Sequence, residues 1–198
     1  MVFLKRTVVP LIRTRRLALI LPCPSDAERM ARYAVDNREH LAPWEPLRSE
    51  GYYTTTSWRK ELAMAVPEFR QGLSMRLILV DGEDLRGPVV GTANFRNIIR
   101  VVFQACHLGY SLDHRRQGQG LMQEALEGAI GYAFKELNLH RIMANYMPEN
   151  ERSARLLSGL GFQREGMAKD YLMIAGAWRD HILTSLVNSD WRPPAERR

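Results

Sequence analysis

Residues able to do chemistry gather in a few short stretches. In "HRRQGQGLM" (114–122), Arg115, Arg116 and Gln117 lead through Gly118, Gln119 and Gly120 into Leu121 and Met122, where an apolar periodic segment begins. Two glycines at this spacing make a tight turn. The same bare backbone also lets amide N–H groups meet a phosphate at a helix N-terminus, where the dipole favours an anion. In "NERSARLL", Asn150 and Ser153 stand three apart at a helix start and so share a face, either as plain caps or as an amide and a hydroxyl turned to a ligand. Asp180 and His181 are adjacent and read as a polar cluster at a sheet edge.

Other site chemistries find no support. There is no GxxxxGK[ST] run, and Gly118-Gln119-Gly120 lacks the third glycine and the early βαβ position of a dinucleotide fingerprint. Cys23 and Cys106 are far apart, with no Cys or His at ligand spacing, so neither a disulfide framework nor a metal site is expected and a reducing compartment is. A net charge of +6 and a pI near 9.6 suit an anionic ligand or partner, a polyphosphate or a nucleic acid, and equally an ordinary basic surface. Motifs for RNA stacking are missing, which makes any RNA contact secondary. Lys5, Arg6, Arg13, Arg15 and Arg16 interrupt the early apolar pieces, so neither a signal peptide nor a membrane span is expected, and the location follows as cytoplasmic.

The elements that must position these groups follow from hydrophobic period. With 198 residues, 45% hydrophobic and 25% charged, the chain suits one domain with a full core. "RLALILP" reads as a first strand, and "SDAERMARYAVDNREHL" as a helix turning Met30, Tyr33 and Ala34 inward. "APWEPLRSEGYYTTTS" is irregular but aromatic, so it lines a pocket or plugs the core edge with Trp44. A helix from about Trp58 to Gln71 follows, kinked or broken by Pro67. "SMRLILV", "VVGTANFRNI" and "FQACHLGYSL" read as an antiparallel meander. Apolar residues at 121, 122, 125, 126, 129, 130, 133, 134 and 137 make an amphipathic helix, whose Gly128 and Gly131 imply close packing against a sheet. "HRIMANYM" reads as a buried strand, "PENERSARLLSGLGF" as a capped helix ending at Gly161, and "DHILTSLV" as a last strand; "RPPAERR" reads as disordered. The fold class is mixed α/β: a single domain with a mostly antiparallel central sheet and helices on both faces.

The order of "HLAPWEP", "NFRNIIR", "HLGYSL", "QGQGLMQEAL", "HRIMANYMPENERSARLLSGLGF" and "EGMAKDYLMIAGAWRDH" resembles the GNAT superfamily, and within it the RimJ-type ribosomal-protein-alanine N-acetyltransferases, from about Arg16 to Val187. The superfamily signature [QR]-x-x-G-x-[GA] fits two registers. Gln117 to Met122 carries Met in the final small position, whereas Arg115 to Gly120 matches fully; the first is preferred for its offset from the strand end at Leu112. The resemblance implies a domain over residues 16–188, an extension over 1–15 and a tail over 189–198.

It also implies acetyl-CoA as cosubstrate and no metal. The pantetheine arm lies along Tyr110, Ser111 and Leu112, and the amides from Gly118 through Gln119, Gly120, Leu121 and Met122 to Gln123 hold the pyrophosphate. Arg115 and Arg116 either add charge there or are solvated surface groups, and Asn150 contacts the arm. Ser153 matches the hydroxyl that protonates the thiolate, and Asp170 the carboxylate that acts as general base; Glu45 and Tyr171 are second candidates that in a plainer reading only cap and pack. The implied acceptor is the N-terminal alanine of a ribosomal protein of the small subunit. The competing readings are a small-molecule amine as acceptor, or a ribosome-assembly factor without catalysis.

Overall fold

The protein is described from a computed structural model covering residues 9–82 and 84–193. The extension's residues 1–8 and the tail's residues 194–198, including most of the segment expected to be disordered, lie outside it. Eight strands form one sheet: β1 (Leu11–Arg13), β2 (Leu17–Ile20), β3 (Met75–Asp81), β4 (Val89–Ile99), β5 (Ala105–Leu112), β6 (Arg141–Met143), β7 (Gln163–Ile174) and β8 (Ala177–Val187), in spatial order β1-β2-β3-β4-β5-β6-β8-β7. Among the described residues only β5 and β6 are parallel neighbours.

Helices cover both faces. On one, α5 (Leu121–Lys135) lays the expected stripe, Leu121, Met122, Ala125, Leu126, Ala129, Ile130 and Ala133, over Leu17, Leu19, Leu77 and Leu79 of the central strands. Leu157 of α6 (Glu151–Gly159) joins the same core. On the other, α1 (Ala27–Asp36) and α3 (Thr55–Leu62) bury Met30, Tyr33 and Leu62 against Ile78 and Val89. Strand β3 is covered on both sides, which is why its sequence is a continuous apolar run rather than an alternation.

Several expectations are revised. The helix read over Trp58–Gln71 is two helices, α3 and α4 (Ala65–Arg70), broken at Ala63–Met64, with Pro67 in the first turn of the second, where its missing N–H costs least. Leu11–Arg13, within the stretch read as an extension, pairs with β2 and adds an edge strand to the sheet. Gly128 does pack closely: a Cβ there would lie 3.2 Å from Ile12 Cγ2 and 3.3 Å from Thr14 Cγ2, whereas one at Gly131 would meet nothing within 4 Å. "HRIMANYM" forms a strand only over Arg141–Met143, and β7 goes unread in the sequence altogether.

The short β6 shapes the site. Its pairing with β5 covers only Ala105–His107, after which the chain leaves toward α6 and Tyr146 bridges to Ile182 of β8. Beyond His107, β5 therefore keeps β4 on one side and an unpaired edge on the other among the described residues. At the same height Gly91 of β4 faces Leu112, and a Cβ there would lie 2.7 Å from the Ser111 carbonyl oxygen. Any larger residue would push the strand end away from β4.

Candidate functional site

The glycine turn is built by the end of β5 and the start of α5. Asp113 is buried at the strand end and caps the 3-10 turn His114–Arg116, accepting from the Arg115 amide at 2.8 Å. Gly118 and Gly120 follow at φ +72° and +70°, the left-handed region that disfavours any residue with a Cβ. Space is not the constraint, since a Cβ at Gly118 would meet nothing within 4 Å. The Glu124 amide donates to the Gly120 carbonyl at 3.1 Å, so the amides of Leu121, Met122 and Gln123 precede the helix's hydrogen-bond ladder and are free for a ligand. Met122, the departure from the signature, turns its side chain into the core and leaves the turn unobstructed.

Arg16, which sequence reasoning did not single out, staples this turn. Its amide and Nε donate to the two Glu124 carboxylate oxygens, each at 2.7 Å, and Nη1 donates to the Gln119 carbonyl at 2.8 Å. Hydrogen bonds from Thr14 and then Arg16 hold the Glu124 carboxyl down to about 2. The partners are far apart in sequence, so no local spacing announces the contact.

Arg115, which is exposed, and Arg116, which is half-buried, are both paired with carboxylates rather than left as free charge at the turn. Arg115 Nη2 bonds Asp113 Oδ2 at 2.6 Å and Asp36 Oδ2 of α1 at 3.2 Å, while Arg116 pairs with Asp81 at the end of β3. Together they line a depression of about 750 Å³ under α1. The Arg115 hydrogen bonds hold the Asp113 carboxyl below the usual carboxylate range.

Across the opening, Asn150 caps α6, its Oδ1 accepting from the Ser153 amide at 3.1 Å as expected. Ser153 neighbours Tyr110 of β5, whose buried phenol burial raises to about 12, partly offset by the serine hydroxyl. Arg152 Nη1 donates to Gln117 Oε1 at 2.5 Å, and Gln117 Nε2 lies 2.8 Å from His40 Nε2 of α2 (Arg38–Leu41). His40 and Arg152 were not foreseen, each being an unremarkable polar residue on a short helical segment.

A second cavity, of about 850 Å³, opens on the α1 and α3 side of the same strand end. Gly109, Tyr110 and Ser111 line it from β5, Thr92, Asn94 and Arg96 from β4, Trp44, Glu45, Tyr52 and Tyr53 from the segment expected to be irregular and aromatic, and Trp58 from α3. Tyr33 Oη donates to Ser111 Oγ at 2.9 Å, and Ser111 Oγ lies 3.0 Å from Thr92 Oγ1. Burial raises the Tyr33 phenol strongly and brings that of Tyr52 to about 12. The Glu45 carboxylate faces this cavity, bonded at 3.1 Å by Arg48 Nε, whose guanidinium stacks 4.3 Å above the Tyr52 ring.

Asp170 sits elsewhere. It occupies an irregular point of β7 at φ +45°, exposed, with its amide donating to Asp180 Oδ1 at 2.9 Å, and it is not among the cavity's lining residues. Tyr171 accepts from Asn145 Nδ2 at 3.4 Å and packs 5.6 Å from the His181 ring, whose Nδ1 is 2.9 Å from the Arg179 carbonyl. The structure thus brings Tyr110, Ser111, Glu45 and the glycine turn around one strand end and leaves Asp170 outside the cavity wall. Among the described residues no group of three or more His, Cys, Asp or Glu is placed to hold a metal ion, and no helix is long and apolar enough to cross a membrane.

Comparison with known proteins agrees with this geometry. The acetyltransferase (GNAT) domain model matches residues 16–163. Over 190 residues, 95% of this chain and 97% of the relative, the chain is 47% identical to ribosomal protein uS5-alanine N-acetyltransferase of Escherichia coli (strain K12). The crystal structure of ribosomal-protein-S5-alanine acetyltransferase from Vibrio fischeri superposes with a TM-score of 0.88 at 44% identity, covering 93% of this chain and 100% of that one. RimJ of Mycobacterium smegmatis in complex with CoA-disulfide does so with a TM-score of 0.81 at 30% identity, covering 90% and 86%.

Proposed function

The chain belongs to the GNAT acetyltransferase family, and from that premise we propose that it moves the acetyl group of acetyl-CoA to the N-terminal alanine of a small-subunit ribosomal protein, by direct attack in a ternary complex. It is an acetyl-CoA-dependent N-acetyltransferase. The observation that carries the reading is the shared strand end. The segment from Gly109 to Leu112 has an unpaired edge leading to the glycine turn, and its Gly109, Tyr110 and Ser111 also form a wall of the aromatic cavity. A thioester laid along that edge is within reach of an amine held in the cavity.

Each component fits its chemistry. The amides of Gly118 to Gln123 suit a pyrophosphate, and the exposed backbone of Tyr110, Ser111 and Leu112 suits the amides of a pantetheine arm. A backbone N–H near Leu112 serves the developing oxyanion, and the Ser153 hydroxyl, beside the protonated Tyr110 phenol, supplies a proton to the departing thiolate. For the base we choose Glu45 over Asp170, because Glu45 faces the cavity and Asp170 does not. An α-amino group, with a pKa of about 8, is roughly a tenth neutral at pH 7, whereas a lysine amine near ~10.4 is far less so, and a modest base therefore suffices. Cys106 takes no part as a nucleophile: it is buried, and burial raises its thiol to about 12.

This reading places the enzyme in the cytoplasm with the small ribosomal subunit or its free proteins as partner. The catalytic domain spans residues 16–188, with β1 added to its sheet from the preceding stretch. Mass spectrometry of ribosomal proteins from cells with and without the gene tests it. One small-subunit protein should carry an acetyl group on its initial alanine only when the enzyme is present. Unmodified ribosomal proteins together with acetylation of a small amine would replace the acceptor assignment, and a stable acetyl-cysteine adduct with acetyl-CoA alone would overturn direct transfer.

A further inference from the structure

Four arginines stand around the glycine turn, and their electrostatic states differ. Arg16 is paired with Glu124 at 2.7 Å. Arg115 is saturated by Asp113 and Asp36, and Arg116 is paired with Asp81. Arg152 pairs with no carboxylate among the described residues; its partner is the neutral side-chain amide of Gln117. It also occupies the first turn of α6, where a cation opposes the helix dipole and is ordinarily disfavoured. Glu151 beside it does not compensate, since that carboxylate is engaged by Arg155 at 3.1 Å. An uncompensated guanidinium at a helix N-terminus, held across the opening by the first residue of the glycine signature, is the arrangement expected where an anion is to arrive.

We propose that Arg152 is the guanidinium that binds the pyrophosphate of the cofactor, passing from the Gln117 amide oxygen to a phosphate oxygen when acetyl-CoA enters. This rests on the acetyltransferase reading above. The hand-over is favourable because a hydrogen bond from a cation to a neutral amide is weaker than one to an anionic oxygen, for which a guanidinium also supplies paired donors. Gln117 is not left loose afterwards. With its oxygen turned to Arg152, its Nε2 is the donor toward His40 Nε2, so α2 continues to hold the side chain.

The test measures binding of CoA, dephospho-CoA and phosphate-free pantetheine by calorimetry to the full-length enzyme and to Arg152→Gln, which removes the charge while keeping a helix-forming polar chain. Arg155→Gln, one turn further along the exposed face, controls for loss of general positive charge. The expected result is a CoA and dephospho-CoA Kd raised by about ten- to a hundredfold in Arg152→Gln, an unchanged pantetheine Kd, and near wild-type binding in Arg155→Gln. Arg152→Lys should recover part of the loss. Wild-type CoA affinity in Arg152→Gln would overturn the proposal, as would an equal loss for pantetheine or a loss that vanishes with dephospho-CoA, which would move the contact to the 3′-phosphate. Failure of the wild-type enzyme to bind CoA at all would instead bring down the acetyltransferase reading.

Discussion

The amide of Ala175, in the tight turn joining β7 to β8, donates to the carbonyl oxygen of Glu45 at 2.9 Å. The hairpin tip is thus the support on which the cavity carboxylate rests. Its turn residues Ala175 and Gly176 lie at φ +49° and +81°, and a Cβ at Gly176 would stand 2.8 Å from Leu47 Cδ1, two residues from Glu45. Gly176→Ala should therefore disturb the acceptor side alone. The expected outcome is a several-fold rise in KM for an acceptor peptide with an unchanged Kd for CoA. Stability should fall by roughly 1–2 kcal/mol from the left-handed backbone alone, measured by denaturant titration.

The choice of base is decided by paired variants. Glu45→Gln keeps the size of the side chain and removes its basicity, so kcat/KM for an alanine-initiated peptide should drop by about a hundredfold near neutral pH. The deficit should shrink as pH rises past the amine's own pKa of about 8, because the nucleophile then arrives neutral. Asp170→Asn should cost less than Glu45→Gln across the whole profile. A larger loss in Asp170→Asn would restore the carboxylate on β7 to the role of base.

The serine and tyrosine at the opening give a third expectation. Ser153→Ala should lower kcat while leaving the Kd for CoA nearly unchanged, since the Asn150 cap uses the Ser153 amide and not its hydroxyl. Tyr110→Phe should also lower kcat if the phenol supports the serine, and the double variant should lose less than the product of the two single losses, as groups acting on one proton do. Single-turnover measurements with saturating acetyl-CoA separate this from product release.

Which of these features could be read from the chain alone follows from what makes each one. The α5 stripe was legible because one helix face meets one core, and the glycine turn because φ near +70° at Gly118 and Gly120 restricts residue type. Strand β7 was not: most of its residues are exposed, and its pairing with β8 is interrupted between Arg164 and Gly166 and between Ala168 and Leu172, so no alternation of apolar residues survives. Arg115 and Arg116 read as charge for the turn or as solvated surface groups because Asp36 and Asp81 come from distant elements, while Asp113, two residues before Arg115, shows itself as its partner only once the 3-10 turn folds back on it. The same distance hides the Arg16 staple and the contact from Ala175 to Glu45. Sequence spacing exposes backbone requirements and core faces; it does not expose which side chains the fold will neutralise.

The Arg16 staple carries the pH dependence. The Glu124 carboxyl is held at about 2 against an ordinary value of 4.5, first by Thr14 and then by Arg16. A depressed carboxyl contributes stability that is complete above the unfolded value and disappears as pH falls through the folded one, so the affected window runs from about 4.5 down to about 2. Glu124→Gln should be less stable than the wild type at about pH 6, and the gap between their Tm values should close as the solution is acidified toward about pH 2. Because Arg16 also holds the Gln119 carbonyl at 2.8 Å, Arg16→Ala should loosen the turn itself and raise the Kd for CoA at neutral pH, beyond any effect on Tm. A Tm gap between wild type and Glu124→Gln that stays constant across the acid range would show that the carboxylate is not held by these partners.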